Sequence, residues 1–416
     1  MAAVHVYNEI GRLRRAVLYR PGLETRNYPD GRFNQVFTLR PSRASFDLDK
    51  ALSEHAAYVN MLESEGVEIL YLDQLIIEAL ETGAEARASF IDSFISGCGV
   101  SGCELQEAVR THLEQAKTST ELAHIAIGGI RYGEVTGLDY EGDCLAELTG
   151  ETYDSQDLLV NPLNTMWFTR DPASSIGRGV TLNHMYWPER NREVLLYKTI
   201  AAFHPDFRDT PIFFRNESSF HMEGGDILNL NRENIAVGIS QRTESAAIDC
   251  LARELLWNEQ SEIDSVWAVQ VPDEELCIHL DTYLSCVDTD TFLADRQLLD
   301  EARVYQISRG RKQGTCRIRA IDGGVREALP TALGVDSVRL IPCGGNDPVS
   351  AEEERLNNAA SVLCLKPGKV CVYAENTQTN HELERAGIEL VTISITELTS
   401  GFGGPNCLCL PIQRDI

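Results

Sequence analysis

Between Thr165 and Ser394 the chain alternates short apolar runs with amphipathic stretches, and that rhythm limits the folds open to it. TMWFTRD (165–171), GVTLNHM (179–185), HMEGGDILNL (221–230), NIAVGIS (234–240), SVWAVQV (265–271), HLDTYLSCVD (279–288), VRLIPCG (338–344), KVCVYA (369–374) and IELVTIS (388–394) read as strands. Helical spacing fills 192–202, 244–258, 350–360 and 378–386 between them. Strands this short need helices returning over them to bury a face, which defines an α/β or α+β chain. A strand pair followed by a helix recurs several times without a strict period, as in a repeat architecture diverged beyond direct reading.

The same rhythm opens the chain. RRAVLYRP (14–21) reads as a strand, 48–65 as a helix that Gly66 can end, and VEILYL (67–72) as a strand. From about Asp73 to Gly150 β-branched alternation disappears. DQLIIEALETGAEARASFIDSF, ELQEAVRTHLEQAKTSTELAHIAIGGI and LAELTGE read as successive short helices punctuated by glycines. The expected division is 1–73 with 159–416 as one α/β domain and 74–158 as a helical insertion, itself large enough for a domain.

With 416 residues, 43% of them hydrophobic, the chain can bury a large core, so disorder as the main state is excluded. At about 150 residues per domain, two to three domains are expected. The 37 Lys+Arg against 63 Asp+Glu give a net charge of −26, which argues against wrapping nucleic acid or docking on an anionic membrane. A cationic small substrate stays open. No stretch of about 18 apolar residues marks a membrane span, and the first residues lack a secretory pattern. Most of the 12 cysteines sit in strand-like runs, the usage of reduced, buried thiols in a cytoplasmic protein. Asn216-Glu217-Ser218 is then a chance glycosylation match.

The richest segment is GFGGPNCLCLPIQR (401–414). Its glycines and Pro405 form a loop whose backbone can approach a ligand, and Cys407 follows at the expected start of the last strand, partly exposed and placed as a nucleophile. A second buried cysteine like Cys409 is the alternative; a Cys-x-Cys metal site is weaker, with no second ligand pair nearby. His279 and Asp281, two apart on an expected strand, would share a face, or form a half-buried histidine beside a turn aspartate. Glu223 and Asp226 flank Gly224-Gly225, where a bulge or close ligand approach is expected. Asp171 ends a strand before Pro172, a common turn position. Arg190 and Arg242 read by default as solvated. GCGVSG (97–102) follows a helix rather than a strand, so it is no dinucleotide site. A thiol, a histidine and three carboxylates from separate strands suit a planar guanidinium: carboxylates match its donor fork and a thiolate can attack its carbon.

FTRDP (168–172), MEGGD (222–226), HLDT (279–282) and GGPNC (403–407), in this order, closely resemble the arginine deiminase family, as do VYNEIGRLRRAVLYRPG (6–22) and NHELERAGIELV (380–391). The resemblance covers nearly the whole chain. It implies a five-bladed α/β propeller of pseudo-fivefold ββαβ units with an inserted all-helical subdomain. It also implies hydrolysis of L-arginine to L-citrulline and ammonia through an S-amidino intermediate. Cys407 would be the nucleophile and His279 the acid, then base. Asp171 and Asp281 would grip the guanidinium, with Glu223 beside them. Arg190 and Arg242 would clamp the α-carboxylate, and Phe168 and Gly401 fall at further substrate contacts. No metal or organic cofactor is implied; a homo-oligomer is. The departures are Thr165 in place of the family's usual Asn, SRASFDL (42–48) in place of its Phe-Asp-Asp loop, Asn406 before the nucleophile, and Phe402 in the loop. They cluster where the substrate's backbone end would be recognised. Another guanidino compound, amidino transfer to an amine, or an inactive binding homologue are the alternatives.

Overall fold

A computed structural model describes residues 3–27, 46–135, 154–163, 165–272, 278–401 and 403–416. Five of the six sheets among the described residues share one pairing pattern, a middle strand antiparallel to one neighbour and parallel to the other. β1 (Leu13–Leu18) lies between the carboxyl-terminal β19 (Leu410–Arg414), antiparallel, and β2 (Glu68–Tyr71), parallel. β6 (Gly179–Leu182) likewise separates β5 (Ala173–Ile176) from β7 (Ile212–Phe214). β9 (Asn234–Ile239) separates β8 (Ile227–Asn229) from β10 (Ser265–Gln270). β12 (Thr291–Ala294) separates β11 (Leu284–Asp288) from β15 (Arg339–Pro342). β17 (Lys369–Tyr373) separates β16 (Leu363–Lys366) from β18 (Glu389–Ile393).

A parallel neighbour requires a crossover, and helices provide it. Leu48–Ser64, Asn191–Phe203, Ser245–Trp257 and Thr377–Arg385 make four of the five. The remaining crossover is longer. It carries the helix Val325–Leu333 and the hairpin of β13 (Arg303–Arg309) and β14 (Cys316–Ile321), which extends the third sheet along β10. The helix Leu48–Ser64 shows how the sequence builds such a unit. Asp47 caps it by accepting from the Lys50 amide, Gly66 leaves it at φ +81°, and Ala51, Tyr58, Val59 and Leu62 bury one face. Each large apolar side chain buried this way contributes roughly 1.5–3 kcal/mol.

Four helices, Leu72–Glu81, Ala84–Gly97, Cys103–Glu114 and Ser119–Gly128, follow β2, as the loss of β-branched residues predicts. A two-stranded ribbon of β3 (Ile130–Arg131) and β4 (Leu158–Val160) closes them off. Their apolar faces join one continuous cluster with the helix Asn191–Phe203 and with Leu410 and Ile412 of β19. The helix expected over 145–151 lies outside the described residues.

Three expected strands are corrected at their functional ends. Residues 165–172 form consecutive turns rather than a strand; Trp167 and Phe168 are apolar because they are buried against Leu398, Cys407 and Leu408. Gly224–Asp226 and Leu280–Thr282 are single 3₁₀ turns, with β8 and β11 starting only after them. Cys407 lies in a turn, and the last strand begins at Leu410. All four segments precede strands, so the functional side chains sit at strand entrances, where turns can aim them.

Candidate active site

The nucleophile loop is held by side chains reaching its backbone. Glu54, buried on the helix Leu48–Ser64, accepts from the amides of Thr396, Glu397 and Leu398 and from the Thr396 hydroxyl. Trp167 donates its indole N–H to the Leu398 carbonyl, Tyr373 its hydroxyl to Gly403 and Tyr58 its hydroxyl to Pro405. A Cβ on Gly403 would stand 2.0 Å from a Phe168 ring carbon, and one on Gly404 2.4 Å from the Ser361 Cβ. Only glycine lets the loop come this close. Gly401's backbone belongs to a short 3₁₀ turn, Leu398–Gly401; Phe402 lies outside the described residues, as do 42–45 of the departing loop.

The loop delivers Cys407 into a carboxylate cluster. Its Sγ is 3.7 Å from Asp281 Oδ2. Cys407 is buried, not partly exposed. The other acidic and basic groups arrive from separate units. Asp171 is fixed by its own carbonyl, which accepts from Asn183 Nδ2 and the Gly224 amide. Glu223 accepts from the Tyr186 amide with one oxygen and meets His279 Nε2 at 2.8 Å with the other. His279 Nδ1 stands 4.0 Å from Asp171 Oδ1. A Cβ on Gly225 would be 2.6 Å from His279 Nδ1, so the paired glycines exist for a close approach, here of the imidazole itself. Asp226 accepts from the Leu280 amide and the Ser240 hydroxyl, which ties the Glu223 turn to the His279 turn.

His279 and Asp281 meet the same site although no strand joins them: the 3₁₀ turn after His279 brings Asp281 round. Asp171 Oδ1 and Asp281 Oδ1 are buried and unpaired. Each unmet buried acceptor costs about 1–3 kcal/mol, and more when charged, so two of them side by side mark a place for a cationic donor. The other oxygens are taken: Asp171 Oδ2 by Arg190 at 2.9 Å, Asp281 Oδ2 by Asn406 Nδ2 at 3.0 Å.

Arg190 and Arg242 are buried rather than solvated. Arg190 binds Glu193 through Nε and Nη2 as well as Asp171 through Nη1. Arg242 stacks over Tyr186 and Trp187, 5.2 and 5.6 Å from the ring centres, and reaches Glu223 at 3.5 Å. Sequence reasoning missed Glu193, which also accepts from Thr165 Oγ1 at 2.6 Å, and missed Ser361 and Glu54. Helical spacing placed Glu193 and Glu54 within helices but gave no reason to bury them.

Charge balance follows from these contacts. Burial alone would lift Glu223, but Arg242, His279 and Arg190 overcome it and hold the carboxyl at about 2. Burial alone would lower His279, yet its bond to Glu223 and the charges of Asp171, Asp226 and Glu223 raise it to about 9. Burial raises Asp281, and raises the Cys407 thiol well above its ordinary value, with Asp281 and Asp171 adding to the second effect. These shifts favour a protonated imidazole and a neutral thiol side by side in the site. Ligand atoms of Asp171, Glu223 and His279 fall within 4.8 Å of one another, a spacing that also suits a metal ion. Arg190 and Arg242 already neutralise the two carboxylates of that set, which opposes a dication there.

Comparison with known proteins supplies the family. The family model described as arginine deiminase matches residues 44–414. The arginine deiminase of Treponema denticola is 34% identical over 100% of this chain and 99% of its own length; that of Clostridium perfringens is 36% identical over 99% and 98%. The chain belongs to the arginine deiminase family. Among solved structures, the product-bound amino-terminal domain of the cyanobacterial arginine dihydrolase ArgZ matches with a TM-score of 0.54 at 12% identity, over 96% of this chain and 97% of that one. The amidinotransferase SxtG of Microseira wollei matches with 0.52 at 14%, over 99% and 97%. At such identities the likeness concerns the fold alone, a mixed α/β fold common to these enzymes.

Proposed function

We infer that the chain hydrolyses the guanidinium group of L-arginine to L-citrulline and ammonia through a covalent bond to Cys407. The observation that carries this reading is the pair of unmet carboxylate oxygens, on Asp171 and Asp281, beside a buried thiol. A guanidinium offers five N–H donors in a plane and satisfies both at once. Its charge also cancels the field that keeps the thiol protonated, so binding of substrate itself favours loss of the Cys407 proton.

The thiolate adds to the guanidinium carbon and a neutral tetrahedral adduct forms. His279, protonated through Glu223 and Asp171, gives its proton to one terminal nitrogen, and ammonia departs with the C–N electron pair. The remaining S-alkylthiouronium carries the positive charge. His279, now neutral, takes a proton from water as the hydroxide oxygen bonds to that carbon. Sulfur then leaves as thiolate, and the proton shed by the new carbonyl departs with the ammonia as ammonium. The proton that the thiol gives up to solvent as substrate binds returns to the sulfur when product leaves, so Cys407 and His279 end as they began.

Arg242 and Arg190 are read as the clamp for the α-carboxylate, with Phe168 and Gly401 along the substrate. Arg190 is held by Glu193, which in turn accepts from the Thr165 hydroxyl, and it orients Asp171. The five sheets of shared pairing support a five-bladed propeller about a pseudo-fivefold axis, with 1–73 and 159–416 as its body and 74–158 as a helical insertion. None of the described helices is long and apolar enough to cross a membrane, and cysteine usage supports a cytoplasmic site. The resemblance to the family supports a homo-oligomer. Incubation with L-arginine tests the reading: citrulline and ammonia should appear in equal amounts. Turnover of a different guanidino acid without any citrulline from arginine would remove the substrate assignment.

A further inference from the structure

We propose that Ser361 is a catalytic residue of this site, its hydroxyl turning from Asp281 to the Cys407 sulfur when that sulfur carries charge. Nothing in the spacing of the sequence motifs points to it. Ser361 stands just before β16, fully buried, three residues beyond Asn358. Asn358 holds φ +55° and is the one non-glycine residue with positive φ among those described. It ends the helix Pro348–Leu356 in the left-handed conformation common just past a helix C-terminus, and the chain turns there toward Ser361. The Ser361 amide donates to the Asn358 carbonyl, its carbonyl accepts from the Asn406 amide, and Gly404 leaves just enough room for its Cβ. Ser361 is thus built against the nucleophile loop on two sides.

Its Oγ lies 3.5 Å from Cys407 Sγ and 3.4 Å from Asp281 Oδ2. One hydroxyl proton can serve only one of these acceptors. In the neutral site Asp281 Oδ2 is crowded, since Asn406 donates to it at 3.0 Å and the thiol stands at 3.7 Å. The long bond from Ser361 is the weakest claim on that oxygen. When substrate enters and the thiol ionises, Cys407 ceases to be a donor and its contact with Asp281 becomes repulsive. A hydroxyl already at hydrogen-bond distance from sulfur then has a charged acceptor to turn to, and charge-assisted bonds are about twice as strong as neutral ones. The sulfur is also faced by Asp171 across the site, with His279 beside that aspartate and Arg170 behind Asn406. The two aspartates disfavour the thiolate, whereas the Ser361 bond favours it. The inference rests on the deiminase reading only for its substrate; the contact with sulfur does not depend on which guanidinium is bound.

Ser361→Ala tests it with two readouts. On L-arginine, kcat should fall about tenfold or more while KM stays within about threefold, because the lost bond forms with the charged sulfur rather than with substrate. Separately, the rate of covalent inactivation by chloroacetamidine, a small amidinium-bearing alkylating agent, follows the thiolate population. Its pH midpoint should rise by about half a unit or more in the variant. Ser361→Gly removes the same hydroxyl with less bulk and gives the same two readouts should the alanine variant aggregate. An unmoved inactivation midpoint with kcat within about twofold of wild type overturns the proposal, and so does a loss confined to KM. If wild-type protein releases no citrulline, the substrate reading fails by itself, and the inactivation profile still decides the role of Ser361.

Discussion

Asp171 and Asp281 carry the account at the level of single residues. Each offers one oxygen to the structure and keeps one unmet, and both are buried. Replacing Asp281 by Asn keeps the shape and removes half of the charge that matches a guanidinium. kcat/KM on arginine should fall by about a hundredfold or more, whereas melting temperature should hold. Kinetics within a few-fold of wild type would show that Asp281 does not touch the substrate. Arg242, read as part of the clamp for the far end of the ligand, is buried against Tyr186 and Trp187 and also reaches Glu223, so Arg242→Ala should raise KM by more than it lowers kcat, with some loss in kcat through Glu223. A loss in kcat alone would count against a carboxylate clamp. At this scale the sequence was most legible where chemistry forces residue types into rare company: a cysteine after Gly-Gly-Pro, a carboxylate beside paired glycines. It was silent on Ser361 and Glu193, because a serine before a strand or a glutamate in a helix reads as solvated until packing buries it.

Elements explain how such distant residues meet. The expected strands 165–171, 221–230 and 279–288 departed in the same way, the first over its whole length and the others only before β8 and β11: the residues alternate as strands do, yet they form turns or irregular backbone at the entrance to a strand. Alternation reports burial on one side, and a buried turn that packs on its neighbours produces the same signal. The helix Leu48–Ser64 was legible from its period, but its buried Glu54 was not. That carboxylate gathers three amides and a hydroxyl from 396–398 and thereby sets the nucleophile loop. Glu54→Gln turns an amide N–H2 toward those donors. It should cost about 1–3 kcal/mol of stability and lower kcat, since the loop carrying Cys407 loses its anchor. Unchanged unfolding midpoint and turnover would mean that the loop is held by Tyr58, Tyr373 and Trp167 alone.

Across the whole molecule the site joins residues that precede strands of all five sheets, Ser361 included, so its charges also stabilise the fold. His279 has a folded value of about 9, above its value in an unfolded chain, so its stabilisation is full below about pH 6.5 and is lost as pH rises through about 9. Glu223, at about 2, lies below its unfolded value; its share is present above about pH 4 and is lost as pH falls toward 2. The share of stability that this pair contributes, read as the difference in unfolding midpoint between wild type and Glu223→Gln, should therefore be full near pH 5–6 and shrink on both sides. A difference as large at about pH 10 as at about pH 6 would contradict the buried pair.

The repeat of strand pair and helix was visible in the sequence as a rhythm, and the common pairing pattern of five sheets now gives it a structural basis. The family resemblance, not periodicity, implied five units, because the long fourth crossover with its hairpin hides the repeat.

The covalent step can be examined directly. Protein mixed with excess L-arginine and quenched in acid during turnover should yield a Cys407-containing peptide heavier by arginine less ammonia when analysed by mass spectrometry, and the Cys407→Ala protein should yield neither that adduct nor citrulline. Steady citrulline release from the Cys407→Ala protein, or an adduct found only on another cysteine, would contradict the account.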